Sequence, residues 1–249
     1  MVREQLNKDP IENSYSVHEK EELVKQYEEI AAIDNEIKAV ERQVKLGKGL
    51  ILTHELRQMK RVLQRLGFVN MDNIVDIKGR VAAELNTGDE LVLTELMLNG
   101  YLNSMSSAVI VALLSCFVFD ERLDDKTDPL INEQLSSAFR ALQSVATHVA
   151  RELLECKLIS DLDEYLNKFN PGLMHVIYYW CLGKSFQEIA AMTTMFEGSI
   201  IRVMRRLEEL LRQLSAASKG IGNSELHNAF EQASLTLKRG VAFQASLYL

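Results

Sequence analysis

The sequence is poor in the residues that punctuate or cross-link a chain. Only three prolines and twelve glycines occur in 249 residues, and no segment sustains a two-residue apolar/polar alternation, which excludes a β architecture. Three cysteines, Cys116, Cys156 and Cys181, lie far apart without a CxxC pair, and His18, His54, His148, His175 and His227 are scattered singly. That spacing excludes the common zinc sites and predicts reduced thiols that fill the core. Positive charge is also in deficit, with 28 Lys and Arg against 35 Asp and Glu and a net charge of −7. Any nucleic-acid contact must therefore come from a local patch. The longest apolar run, AVIVALLSCFVF at Ala108 to Phe119, is shorter than the ~20 residues that span a bilayer, so it predicts a buried helix and no membrane partner. No charged-then-apolar leader opens the chain, and secretion is not expected.

What is present is helical period and a 47% hydrophobic content, enough for a packed core. The fold class is all-α, a multi-helix bundle with a long stalk-like helix near the N-terminus. From Lys20 to Leu46, Leu23, Tyr27, Ile30, Ile33, Ile37, Val40 and Val44 recur at three- and four-residue steps, giving one narrow apolar seam that needs a partner. The GKG at Gly47 to Gly49 is expected to break that helix. A second begins behind Thr53 as N-cap and stops at Gly67. Further helices are expected over Asp89–Leu102, Ser104–Phe119, Pro129–Lys157, Leu162–Phe169, Pro171–Leu182, Ser185–Thr193, Glu197–Lys219 and Ser224–Ser246. The polar Asp120 to Pro129 is a connector between two subbundles. The expected division is 1–49, a polar N-terminus with the stalk-like helix, and 50–249, the bundle.

Several catalytic signatures are ruled out by single residues. GKS at Gly183 to Ser185 lacks the glycine five positions earlier that a phosphate loop requires, because Tyr178 stands there. EGSII at Glu197 to Ile201 lacks the second glycine of a nucleophile elbow.

The stretch FEGSIIRVMRRLEELLRQL, Phe196 to Leu214, concentrates four arginines. At helical spacing Ile200, Val203, Met204, Leu207, Leu210, Leu211 and Leu214 form an apolar face, and Arg202, Arg206, Glu209 and Gln213 fall within roughly 60° of one another on the other side. A solvated face is one reading of that stripe, with Arg205 and Glu209 as an i,i+4 pair. A surface for a nucleic-acid strand is another, since arginine supplies planar donors to phosphate and stacks on bases. The short helix, turn and longer helix over Ser185 to Leu210 also have the outline of a helix-turn-helix, with Glu197, Ser199 and Arg202 toward a DNA groove.

FEGSIIRVMRRLEELLRQL, KGIGNSEL (Lys219 to Leu226) and LKRGVAFQASLYL (Leu237 to Leu249) together resemble the C-terminal helical domain, often called DSHC, of the exosome-associated DExH-box RNA helicases. LTHELRQMKRVLQRLGF, IKGRVAAEL (Ile77 to Leu85), GDELVLTELMLNG (Gly88 to Gly100) and ALLSCFVF (Ala112 to Phe119) match the same family in the same order, so the resemblance covers about Thr53 to Leu249. The wording is closer to the nuclear member, which works with the polyadenylating surveillance complex, than to the cytoplasmic superkiller helicase.

The resemblance implies a helical domain over two RecA-like ATPase domains, with a ratchet helix, here about 197–219, lining the path of single-stranded RNA toward the exosome. By motif it implies RNA contacts at Arg202, Arg206 and Glu209. Glu90 or Glu95 of GDELVLTEL is a further candidate contact, with a buried or solvated role as the alternative. The seam helix looks like the returning limb of the arch stalk. The resemblance also implies partners: single-stranded RNA, a RecA-like helicase core, the RNA exosome and the surveillance complex, in the nucleus. No cofactor or metal site is expected in this chain, since ATP and Mg belong to the RecA-like domains, which it does not contain. It would then be no helicase by itself, but either a fragment of a longer protein or a truncated gene product. A helical protein-interaction module without an RNA role is the competing function. The family usually ends in a form resembling KRDIVFAASLYL, from which Gly240 and Gln244 depart; a glycine inside that helix would cost ~1 kcal/mol.

Overall fold

The computed structural model describes residues 16–49, 52–121, 130 and 132–243. Among them every regular element is helical, and the single β contact is an isolated bridge between Val69 and Val75. Contacts divide the chain into two compact units, Met1–Leu56 and Arg57–Leu249.

In the first unit, α1 (Val17–Gly49) is a 33-residue helix. It starts earlier than the apolar seam suggests because Ser16 and Glu19 cap it reciprocally: the Ser16 amide donates to Glu19 Oε2 at 2.7 Å, and the Glu19 amide to Ser16 Oγ at 3.4 Å. Gly47 and Gly49 do not break it. The ~1 kcal/mol penalty of a glycine is too small to end a long helix without a competing turn. Leu23, Tyr27, Ile30, Ile33, Ile37, Val40 and Val44 lie along the helix with 46–65% of their surface exposed.

The second unit is built around α5 (Ser107–Val118), in which every residue from Ala108 to Cys116 is buried. A helix apolar on all sides must be surrounded, and α5 packs against α6 (Glu133–Glu155), α8 (Met174–Cys181), α10 (Glu197–Gly220) and α11 (Ser224–Leu237). Its start differs from expectation: Ser106 takes the cap position without a side-chain hydrogen bond. α4 (Glu90–Leu98) is the other fully enclosed helix, buried from Val92 to Met97, and packs on α3 (Ile77–Ala83) and α6. The sequence pattern did not announce α3, whose one buried residue is Val81. α2 (Leu52–Arg65) contains Thr53 within its first turn rather than ahead of it, and Gly67 at φ +75° ends it as expected. Arg65 ties α2 to α6 through Glu152 (2.5 Å) and Glu155.

Two short helices, α7 (Leu162–Leu166) and α9 (Phe186–Ala190), are held by side-chain caps from Asp161 and Ser185. Ser185 is the serine of the GKS sequence, so those residues form a helix start. A 3-10 turn over Pro171–Leu173 leads into α8. α11 stops at Leu237, short of the Ser246 expected from the pattern, and is followed by a 3-10 turn over Gly240–Phe243. Gly240 therefore sits outside a regular α-helix, at φ +61°, with Trp180 close to where a Cβ would stand (3.4 Å). The penalty expected for a mid-helix glycine does not arise; a glycine suits this left-handed corner. Most of the Asp120–Pro129 connector and Gln244 lie outside the described residues.

Candidate nucleic-acid interface

α10 is set by its apolar side. Ile200, Val203, Met204, Leu207, Leu210, Leu211 and Leu214 are all at most 5% exposed, packed against α5 and α11. This fixes the rotation of the helix and turns Arg202, Arg205 and Arg206 outward. Arg202 is exposed and has no ion pair or hydrogen bond among the described residues. Arg206 is also exposed, but its Nη1 donates to the carbonyl of Val118 at 2.8 Å. Val118 ends α5, where the last carbonyls lack intrahelical partners and the helix dipole favours a cation. Arg206 thus closes α5 with one of its five N–H donors and retains others for a ligand.

Glu209 is not paired with Arg205. Its Oε1 accepts from Arg212 Nη2 at 2.5 Å and Gln213 Nε2 at 2.8 Å, and its Oε2 from Arg212 Nε at 3.0 Å. The Arg212 guanidinium, with help from Gln213, holds this carboxyl below the usual glutamate range. Gln213, placed on the polar stripe by spacing, is only 6% exposed. Its Oε1 accepts the amides of Asn86 (3.0 Å) and Thr87 (3.2 Å), while Nε2 reaches Asn86 Oδ1 (2.6 Å) and Thr87 Oγ1 (2.8 Å). The outward stripe therefore consists of Arg202, Arg206 and Glu209, and Gln213 fastens the NTGD turn beside it.

The two glutamates of GDELVLTEL separate. Glu90 opens α4 on the surface and has no ion pair among the described residues. Glu95 is 3% exposed, with Oε1 on Lys78 Nζ (2.5 Å) and Oε2 accepting from Asn99 Nδ2 (2.8 Å). Lys78 also donates to the Leu66 carbonyl at 2.8 Å. Of the two roles considered for Glu95, the geometry supplies the buried one, a link between α3 and α4. Asp89, between turn and helix, caps the Val92 amide with Oδ1 (3.0 Å) and accepts from the Tyr165 hydroxyl with Oδ2 (2.7 Å). Burial and the neighbouring Asp89 carboxylate push the Tyr165 hydroxyl strongly up, so it stays a proton donor.

Among the described residues no three His, Cys, Asp or Glu side chains gather as a metal site, and no helix is long and apolar enough to cross a membrane. Cys116 and Cys156 are buried, and burial pushes the half-buried Cys181 thiol up to about 12.

The second unit is all-α, with an arginine-bearing helix packed on a fully enclosed central helix. Residues 72–244 match the DSHCT (NUC185) domain, and the chain belongs to that family. It is 44% identical over its whole length to the exosome RNA helicase MTR4 of human and mouse, covering 23% of each. It is 40% identical to the DExH-box ATP-dependent RNA helicase DExH9 of Arabidopsis thaliana, with 98% of this chain and 24% of that protein aligned. The antiviral helicase SKI2 of Saccharomyces cerevisiae is 35% identical over 81% of this chain and 16% of its own. The chain thus spans about a quarter or less of the length of these curated relatives.

Proposed function

We propose that this chain is the helical segment of an ATP-dependent RNA helicase that passes single-stranded RNA to the exosome, with α10 as the ratchet helix against the strand. The observation that carries the reading is the state of the α10 arginines: Arg202 is unpaired among the described residues and Arg206 is outward with a single bond to Val118. Such donors suit phosphate and base edges. Glu209 and Glu90 complement them as acceptors for base amino groups or ribose hydroxyls. Glu95 acts behind the surface, by holding α3 against α4. ATP and Mg would be used by RecA-like domains elsewhere in the parent protein, where the strand is driven; this segment supplies direction and a wall. The names of the relatives support the exosome link, and the FEGSIIR wording supports a nuclear setting and the polyadenylating surveillance complex.

Fluorescence anisotropy of single-stranded RNA across a salt series tests this directly. Each neutralised phosphate adds a slope of about −0.7 on single strands, so Arg202→Ala/Arg206→Ala should flatten the salt dependence by about 1.4 and weaken binding. Equal binding by the double variant would sink the assignment. A second reading, a protein-interaction module, has its own support in Met71, Ile74, Val75 and Ile77, which are 49–84% exposed around one loop. It predicts no RNA binding at any salt concentration. Preference for duplex DNA over single-stranded RNA would instead revive the helix-turn-helix reading.

A further inference from the structure

We infer that the recess beside α10, between the Asn86–Asp89 turn and the end of α5, seats one unstacked nucleobase of the RNA strand. The inference rests on the RNA reading above and adds to it a defined subsite. The recess has a volume of about 300 Å³, at the small end of ligand-sized pockets. Phe117 and Phe169 form its aromatic wall, edge to face with ring centroids 5.2 Å apart. Asn86 and Thr87 supply polar atoms on the turn side. Lys168 adds an exposed ammonium, 4.8 Å from the Tyr165 ring centroid.

That set matches a base better than an apolar ligand or a free anion. A base offers a π-face to aromatic side chains and hydrogen-bonding edges to amides and hydroxyls, and it brings a phosphate for a nearby cation. Asn86 Oδ1 is occupied by Gln213, but its Nδ2 makes no hydrogen bond among the described residues and remains a donor for a base edge. The recess is linked to the stripe through side-chain contacts. Gln213 Nε2 contacts both Glu209 (2.8 Å) and Thr87 (2.8 Å), and Arg206 is anchored on Val118, the residue after Phe117. The turn that lines the recess is therefore one side chain, Gln213, away from the stripe. Gly88 lets the turn approach α5 closely: a Cβ there would stand 3.1 Å from both Phe117 Cβ and Leu93 Cδ1.

The test compares two RNAs of one length, an oligouridylate and its fully abasic counterpart, by anisotropy with the whole chain. Stacking of one base is worth ~1–3 kcal/mol, so filling this seat should make the intact RNA bind at least about 5-fold tighter. Phe117→Leu keeps apolar bulk but removes the ring; it should bring the intact-to-abasic ratio down by about that factor and leave abasic affinity unchanged. Lys168→Gln, an exposed change that spares the core, should weaken both RNAs modestly, and 4-thiouridine in the RNA should crosslink to the peptides holding Asn86 to Asp89 or Phe117. The crosslink carries the test if Phe117→Leu fails to fold. RNA that binds in an Arg202- and Arg206-dependent way, with an unchanged ratio in Phe117→Leu and crosslinks on α10 alone, overturns the base seat and leaves the proposed function standing. Absence of RNA binding by the unmodified chain overturns both.

Discussion

Gln213 meets demands that no other side chain on α10 meets. Its Oε1 accepts two turn amides, and the two N–H donors of Nε2 are shared among Asn86 Oδ1, Thr87 Oγ1 and Glu209 Oε1, all within 2.6–3.2 Å. Gln213→Ala leaves two backbone N–H groups and the Glu209 carboxylate without that partner. An unmet donor that water reaches poorly costs ~1–3 kcal/mol. Urea unfolding should report a loss in that range, with the slope unchanged because the same surface is exposed. Arg206 presents the opposite balance: its bond to Val118 is partly solvated, so its removal should cost the fold little and RNA affinity more. The residue pair should thus separate stability from the proposed RNA binding on one helix.

At the scale of elements, α9 is held by its ends. Ser185 Oγ accepts the Glu188 amide (3.3 Å), and Glu188 Oε2 accepts from the Ser185 hydroxyl (2.7 Å) and amide (2.8 Å). Ser185→Ala should cost ~1 kcal/mol by thermal unfolding. The Ser185 hydroxyl, then its amide, hold the Glu188 carboxyl below the usual range. A depressed acid contributes fully above its unfolded value of about 4.3 and loses the contribution as pH falls through the lower folded value. The stability gap between the unmodified chain and Glu188→Ala should therefore be constant near neutrality and narrow below about pH 4; a constant gap down to pH 2 would contradict the capping box as its source. Elements with strong apolar period were readable in advance: α5, α4 and the seven apolar-face residues of α10, from Ile200 to Leu214, follow from composition and spacing alone. The misses have a common cause. α3 buries a single apolar side chain, α11 gives way to a 3-10 turn with a left-handed corner at Gly240, and Gln213 is polar yet buried because its partners are 126 and 127 residues away in sequence. Only the FEGSIIR and GDELVLTEL motifs pointed to the candidate site, and they placed Glu95 and Glu90 together although one is enclosed and the other exposed.

For the molecule as a whole, the net charge of −7 and the outward arginines of α10 are compatible because fields at the surface are local. An acidic total keeps non-specific nucleic-acid binding low, and on the proposed RNA reading strand contact is left to a few placed cations; binding should accordingly be weak, with a shallow salt slope set by the few phosphates they neutralise. The unit from Arg57 to Leu249 has one central helix, and the NTGD turn is bound to it through α10. Turn amides ordinarily exchange with solvent deuterium as quickly as their local motions allow. The amides of Asn86 and Thr87 are spent on a side chain whose own backbone lies within a packed helix, so they can exchange only when Gln213 lets go. Their deuterium uptake should be slow in the unmodified chain and fast in Gln213→Ala, which makes two surface amides a clock for the opening of α10.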